Sequence, residues 1–319
     1  MIRPDIVATC WTIAGTARPG DPSEASPIPA TERVSAAAAA GCTGLGLVLA
    51  DLEIVRDTIG FDALREHARS EGIAHLEVEL VTDWWLDPDA AWHRDAELLF
   101  EAASVLGSPF VKIGPPPGEA LPSLEPLVAP LRRLADEADR AGTRLALEPL
   151  PFAGIESLPR GAELIRAAGH GGVGLIVDYW HVFRAGTSLP ELAASLEPAM
   201  VLGVEIDDAD AHPEPGRSLF EDTRDNRRYP GEGDQDVVGF VRTMSDLGFE
   251  GPWGVEILSR EHRELSLDEG LARAVRRTRE CLEAAEDPRL APVREKLPDL
   301  GTDPHVPFVP RRPGGPLTD

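Results

Sequence analysis

The chain has 319 residues, longer than a typical single domain yet short for two full cores, and a one-core α/β barrel falls naturally at this length. With 42% hydrophobic and 27% charged residues, and 30 Gly and 30 Pro that imply many turns, the composition is globular and excludes disorder as the whole answer. Asp and Glu total 55 against 31 Lys and Arg, and a formal charge of -24 repels a polyanion, which excludes nucleic-acid binding through overall charge.

In chain order, the start has Arg3, Pro4 and Asp5 where a secretory signal would lead into an apolar core. The longest apolar run, about Gly44 to Ala50, is too short to cross a bilayer, so a soluble protein of the reducing cytoplasm is expected. Cys10, Cys42 and Cys281 are widely spaced and odd in number, and form no zinc or disulfide framework. Eight β-rich runs follow one another: Asp5 to Cys10, Gly44 to Leu49, Ala74 to Val81, Phe110 to Ile113, Arg144 to Glu148, Val173 to Asp178, Val201 to Asp207 and Trp253 to Leu258. Each precedes a helix-like segment: Thr31 to Ala40, Phe61 to Ser70, Pro88 to Leu106, Leu124 to Ala141, Arg160 to Ala168, Leu189 to Leu196, Asp236 to Leu247 and Leu267 to Ala285. Thr31, Asp236 and Ser266 stand where N-caps belong, and Gly142, Gly169 and Gly248 close helices just before the next strand.

Strict β-then-α alternation implies a parallel sheet, and eight units close it into a single (β/α)8 TIM barrel over residues 1–286. The runner-up, an open doubly wound sheet, would want a third glycine after Gly44 and Gly46, and none stands at the required offset. Two long insertions, Trp11 to Ala30 and Asp208 to Asp234, follow strand C-termini, the face where barrel active sites are built. The proline-rich tail from Asp287 to Asp319 is expected to wrap the surface, reach a neighbouring subunit of a homo-oligomer, or be mobile.

Four strand runs end in an acid: Leu145-Ala146-Leu147-Glu148, Leu175-Ile176-Val177-Asp178, Gly203-Val204-Glu205 and Trp253-Gly254-Val255-Glu256. Taken singly, such an acid is more often a helix cap or a loop charge. Converging on one barrel mouth, the four would raise one another's pKa unless a cation sat among them, so a divalent metal is the economical explanation. Oxygen donors favour Mn2+, with Mg2+, Co2+ or Zn2+ as alternatives. Residues 205 and 207 share a strand face, so spacing alone leaves Asp207 open beside Glu205 as the strand-seven ligand.

From about Asp5 to Ala285 the sequence resembles the xylose isomerase-like TIM barrels of the sugar phosphate isomerase/epimerase family. The resemblance is carried by Leu147-Glu148-Pro149, the Asp178-Tyr179-Trp180-His181 motif, Val204-Glu205-Ile206-Asp207, Pro230-Gly231-Glu232-Gly233-Asp234 and Gly251-Pro252-Trp253-Gly254-Val255-Glu256. It implies one divalent ion held by Glu148, Asp178, Glu205 and Glu256. It also implies proton transfer by Glu148 and Glu256 on opposite faces of a sugar or keto-sugar. The strand-seven position departs from the family, where His or Gln is usual. His181 lies one helical turn after Asp178, where it would contact substrate, shuttle a proton or hydrogen-bond a carboxylate. Lys112 ends the fourth strand and is either snorkelling to solvent or aimed at the mouth, where its cation would offset the acids.

Arg227 and Arg228 precede the Pro-Gly-Glu-Gly loop, where a guanidinium would grip a substrate oxygen or balance the carboxylates. Glu79, near the end of the third strand, and the aromatic faces of Trp11, Trp84, Trp85 and Trp180 complete the substrate-binding candidates. The expected activity is metal-dependent isomerisation or epimerisation through an enediolate. The alternative is a lyase, with His181 or Lys112 as the acid: a dehydratase acting on inosose or 3-dehydroshikimate, or elimination from a keto-glycoside. A non-catalytic sugar-binding subunit is the alternative of another class. A repair endonuclease, which would want more His and Asp ligands and a basic groove, is disfavoured by the charge.

Overall fold

A computed structural model of the chain describes residues 4–87 and 90–287. Eight parallel strands form a closed barrel, each hydrogen-bonded to the next: β1 Ile6–Ala8, β2 Gly44–Val48, β3 His75–Val81, β4 Val111–Ile113, β5 Leu145–Leu147, β6 Val173–Asp178, β7 Val201–Ile206 and β8 Trp253–Val255. Closure comes from β1 pairing with β8, Ile6 opposite Trp253 and Ala8 opposite Val255, so the open-sheet alternative does not apply. The helices are α1 Ala30–Ala40, α2 Leu49–Asp57, α3 Phe61–Ser70, α4 Trp92–Leu106, α5 Glu125–Arg140, α6 Leu158–Ala168, α7 Tyr179–Arg184, α8 Leu189–Ser195, α9 Leu219–Asp225, α10 Val237–Asp246, α11 Arg260–Arg263 and α12 Leu267–Glu286.

Strand alternation divides the core in two. On β5, Leu145 and Leu147 are buried in the cluster that joins barrel and helices, while Ala146 belongs to a separate small cluster with Phe110 and Ile176 inside the barrel. Burying each such leucine is worth roughly 1.5–3 kcal/mol, which sets the register of every strand. The interior is crowded: a Cβ at Gly203 would come 2.9 Å from Ile176 Cδ1, and one at Gly254 2.9 Å from Glu205 Cγ. Glycine at these positions leaves room for long side chains from neighbouring strands.

Side-chain caps start five of these helices, α7, α8, α9, α10 and α12. Ser266 and Glu269 form a reciprocal capping box on α12, and the Asp236 carboxylate accepts from the Gly239 amide on α10. Thr31 is not the cap of α1. Pro29 holds that position, its carbonyl accepting from the Arg33 amide, so the helix starts before the threonine. The second strand run stops at Val48 because Leu49 opens α2, a short helix that the strand-and-helix pattern did not separate. The helix expected from Pro88 starts at Trp92, Pro88 itself lying outside the described residues, as does the expected tail from residue 288 onward. The insertion over 208–234 carries α9. No described helix is long and apolar enough to cross a membrane, and the three cysteines are buried and unpaired.

Candidate metal centre

Glu148 follows β5, Asp178 ends β6, Glu205 lies near the end of β7 and Glu256 follows β8. All four share the inward face of their strands at the C-terminal end of the barrel. One carboxylate oxygen from each lies within 4.8 Å of the others, and all four residues are buried. Glu148, Asp178 and His181 meet the same criterion, because Asp178 also caps α7 and accepts from the His181 amide at 3.2 Å. The cap brings the imidazole back over the strand ends, Nε2 standing 3.3 Å from Glu148 Oε1 and 3.4 Å from Arg227 Nη2. The tautomer of the ring decides which of the two it engages.

Two side-chain cations are set into this cluster. Arg227 Nη1 donates to Asp178 Oδ2 at 2.6 Å, stands 3.0 Å from Glu256 Oε2 and makes a short ion pair with Asp207 Oδ2. Its Nε and Nη2 donate to Thr223 Oγ1 at 3.2 and 2.9 Å. Thr223 sits on α9, which Arg184 of α7 also holds through a buried pair with Asp222 at 2.9 Å. Lys112 has no solvent exposure; its ammonium makes a short ion pair with Glu205 Oε1 and lies 3.4 Å from Glu79 Oε2.

These charges divide the acids. Burial pushes Asp178 and Glu148 up, but Arg227 and then His181 hold Asp178 well below the usual carboxylate range, while Lys112 and His181 hold Glu148 below its own. Glu205 goes the other way: burial and the charge of Glu256 raise it in spite of Lys112. Burial likewise raises Glu256 against the opposing pull of Arg227, and burial with Asp178 raises Asp207. The buried acids thus outnumber the cations that neutralise them. Glu205 Oε2 and Asp207 Oδ1 are buried without a hydrogen-bond partner among the described residues. Four converging oxygens with orphaned buried acceptors fit a hard divalent cation.

Residues 34–281 match the xylose isomerase-like TIM barrel family. The chain belongs to that family. Among curated proteins, this family member is 27% identical over 217 residues to a 3-dehydroshikimate dehydratase of Pseudomonas putida, covering 67% of this chain and 33% of the relative. It is 26% identical over 154 residues to an inosose isomerase of Bacillus licheniformis, covering 48% of this chain and 53% of the relative. The chain therefore spans a third to about half the length of these relatives, both enzymes. Among solved structures, the IOLI protein with a binding zinc atom superposes with a TM-score of 0.73 at 18% identity over 88% of this chain and 98% of that one. A xylose isomerase-like TIM barrel protein from Mycobacterium smegmatis in complex with magnesium gives 0.62 at 18% identity, over 89% and 98%.

The structure brings Glu148, Asp178, His181, Glu205 and Glu256 of this family member together, and adds Lys112, Glu79 and Arg227 around them. Arg227 lies against the carboxylates rather than on the surface, whereas Arg228 pairs with Asp210 and is 44% exposed. Asp207 is engaged by Arg227 and is absent from the four-carboxylate group, which includes Glu205. Trp180 is fully buried, its ring edge-on to His181 at 5.2 Å, with Arg184 and Arg227 each 5.5 Å from its ring centroid. Trp11 is half-buried in the turn after β1. Trp84 is buried and donates its indole N–H to the Gly114 carbonyl at 2.7 Å. Phe152, Phe220 and Thr223 were not anticipated. Phe152 packs edge-on to His181 and to Phe220, joining the loop after β5 to α9. The only local signals are the place of Phe152 four residues past Glu148 and the four-residue offset between Thr223 and Arg227.

Proposed function

We propose that this chain is a divalent-metal-dependent enzyme that removes a proton next to the carbonyl of a sugar or keto-sugar, with isomerisation or epimerisation as the outcome. The observation that carries this reading is the meeting of four buried carboxylates from four successive strand ends within 4.8 Å. Glu148, Asp178, Glu205 and Glu256 would hold the ion, with Mn2+ the first choice for an all-oxygen donor set and Mg2+ or Zn2+ close behind. A divalent ion there supplies an electrophile for a substrate carbonyl and for the negative charge that develops as the neighbouring proton leaves.

Glu148 is the better base, since Lys112 and His181 keep it ionised against its burial. Glu256, raised by burial, stands three strands away and is the partner that returns a proton from the other side. Trp180 and Phe152 position His181 next to Glu148, and Arg227 orients Asp178 and Glu256. Trp11, Glu79 and Trp180 remain the proposed substrate-binding set, with Arg227 acting through the carboxylates. A small sugar-derived or cyclic polyol-derived molecule is the proposed substrate.

The 217-residue match to a dehydratase favours lyase chemistry as the second reading. Loss of a hydroxyl β to the abstracted proton follows from the same first step, with His181 as the acid that protonates the leaving oxygen. The test is incubation with ketoses, inosose and 3-dehydroshikimate in deuterated water containing Mn2+ or Mg2+, followed by NMR. Deuterium next to the carbonyl, with an isomer or a dehydrated product, is expected for at least one of them. Absence of exchange in all of them, with the ion bound, overturns the reading. Full exchange by Glu148→Gln would remove that residue from the base role.

A further inference from the structure

Lys112 is unusual in this chain before its contacts are considered. Of 31 Lys and Arg residues only Lys112 and Lys296 are lysines, and Lys112 is the only one among the described residues. Elsewhere in the described barrel every permanent cation is a guanidinium, a planar fork suited to bidentate pairing. An ammonium is instead a compact point charge, close in form to a bound metal ion. It sits as such an ion would, with no solvent exposure, on Glu205 Oε1 from β7 and 3.4 Å from Glu79 Oε2 from β3.

The oxygens left over complete the pattern. Glu79 Oε1 and Glu205 Oε2 are both buried and have no hydrogen-bond partner among the described residues. Glu205 thus gives one oxygen to the ammonium and is at the same time a member of the four-carboxylate group, the disposition of a carboxylate shared between two cation positions. Glu79 faces the lysine through Oε2 and belongs to no other ion pair among the described residues.

We infer that the Lys112 ammonium fills a second cation position of the barrel, bridged to the first by Glu205, and that the lysine side chain is what limits the centre to one divalent ion. Removing it leaves two buried carboxylates facing an emptied volume. Both would then need a proton or a cation, and Glu79 with Glu205 offers the all-oxygen donor set that Mn2+ takes. The inference rests on the metal reading above only for the first ion.

The experiment is Mn2+ stoichiometry by equilibrium dialysis and elemental analysis on the full chain, with electron paramagnetic resonance to detect spin coupling between bridged ions. Lys112→Ala is expected to bind one equivalent more than the wild type and to show a coupled signal. The double variant Lys112→Ala/Glu79→Gln is expected to lose that extra equivalent. Unchanged stoichiometry in a folded Lys112→Ala overturns the inference, because the two acids then share a proton instead. The wild type provides an independent arm: a second, spin-coupled ion bound at millimolar Mn2+ with Lys112 in place also overturns it. A wild type that takes up no ion defeats the metal reading alone, and the difference between variant and wild type still decides this one.

Discussion

The two layers of the barrel interior are built by the same strands, on the same face, two residues apart. Phe110, Ala146, Ile176, Gly203 and Gly254 lie toward the N-terminal end; the next inward positions are Lys112, Glu148, Asp178, Glu205 and Glu256. Burial does not distinguish them, since Phe110 and Ile176 are 1% exposed while Lys112 and Asp178 are 0%. The lower layer gains from losing water, whereas the upper one is costly to desolvate and is held by its ion pairs with Lys112 and Arg227. Architecture fixes where a side chain points, and chemistry two residues later decides whether that place is core or site.

The largest expected break in this contrast is at the acids. Glu148→Gln or Glu256→Gln should slow solvent-deuterium exchange into substrate on the order of 10²–10⁴-fold, as for loss of a general base or acid. Ile176→Val, one layer down, should cost about 0.5–1.5 kcal/mol in a urea titration and leave exchange intact. Equal losses of exchange in both would erase the distinction. Next is Arg227→Met, which strips Asp178, Asp207 and Glu256 of their shared guanidinium. It should destabilise the chelator-treated protein by about 3–5 kcal/mol, and Mn2+ should restore part of this by supplying the missing charge. A loss that is the same with and without the ion would show that Arg227 acts through packing alone.

Asp208 lies just outside the interior, its carboxylate accepting from the amides of Ala209, Gly233 and Gln235. Burial pushes it up to about 6 in spite of these donors. Between about pH 4 and 6 the folded state therefore keeps a proton that the unfolded chain has released, and this contribution is fully present below about pH 4 and lost as pH rises through about 6. At roughly 1.4 kcal/mol per pH unit it amounts to at most about 3 kcal/mol. Asp208→Asn should flatten the pH dependence of urea stability between pH 4 and 7, and an unchanged slope would assign that dependence to the upper layer. The finest comparison uses the glycines. Gly203→Ala and Gly254→Ala should each cost about 1–3 kcal/mol through overpacking. Only Gly254→Ala, whose new Cβ meets Glu205 Cγ, should also weaken Mn2+ binding measured by dialysis.

The strand count, the barrel and the convergence of four acids follow from local pattern, because an apolar run of period two ending in a carboxylate is a property of five or six consecutive residues. The short helices α2, α7, α9 and α11 escape that pattern, being too short to show a helical period, and Thr31 misleads because Pro29 starts α1 first. The surroundings of the acids are non-local. Arg227 reaches Asp178 across 49 residues and Lys112 reaches Glu205 across 93, through a loop fold and a barrel closure that no window of sequence contains. The choice between Glu205 and Asp207 as the strand-seven member of the group likewise needed the position of Arg227, since both acids share one strand face.

The short helix α9 is held by three arginines from other segments: Arg184 pairs with Asp222 in a buried contact, Arg263 pairs with Asp225, and Arg227 donates to Thr223. Arg227 is thus a rigid rod between a surface helix and the acids beneath it. Thermodynamic reciprocity then applies to the pair. If seating α9 raises the affinity of the acids for a cation by some factor, the cation favours the seated helix by that same factor. A ligand, variant or protease that senses only the outer surface of α9 would thereby report on the occupancy of the barrel.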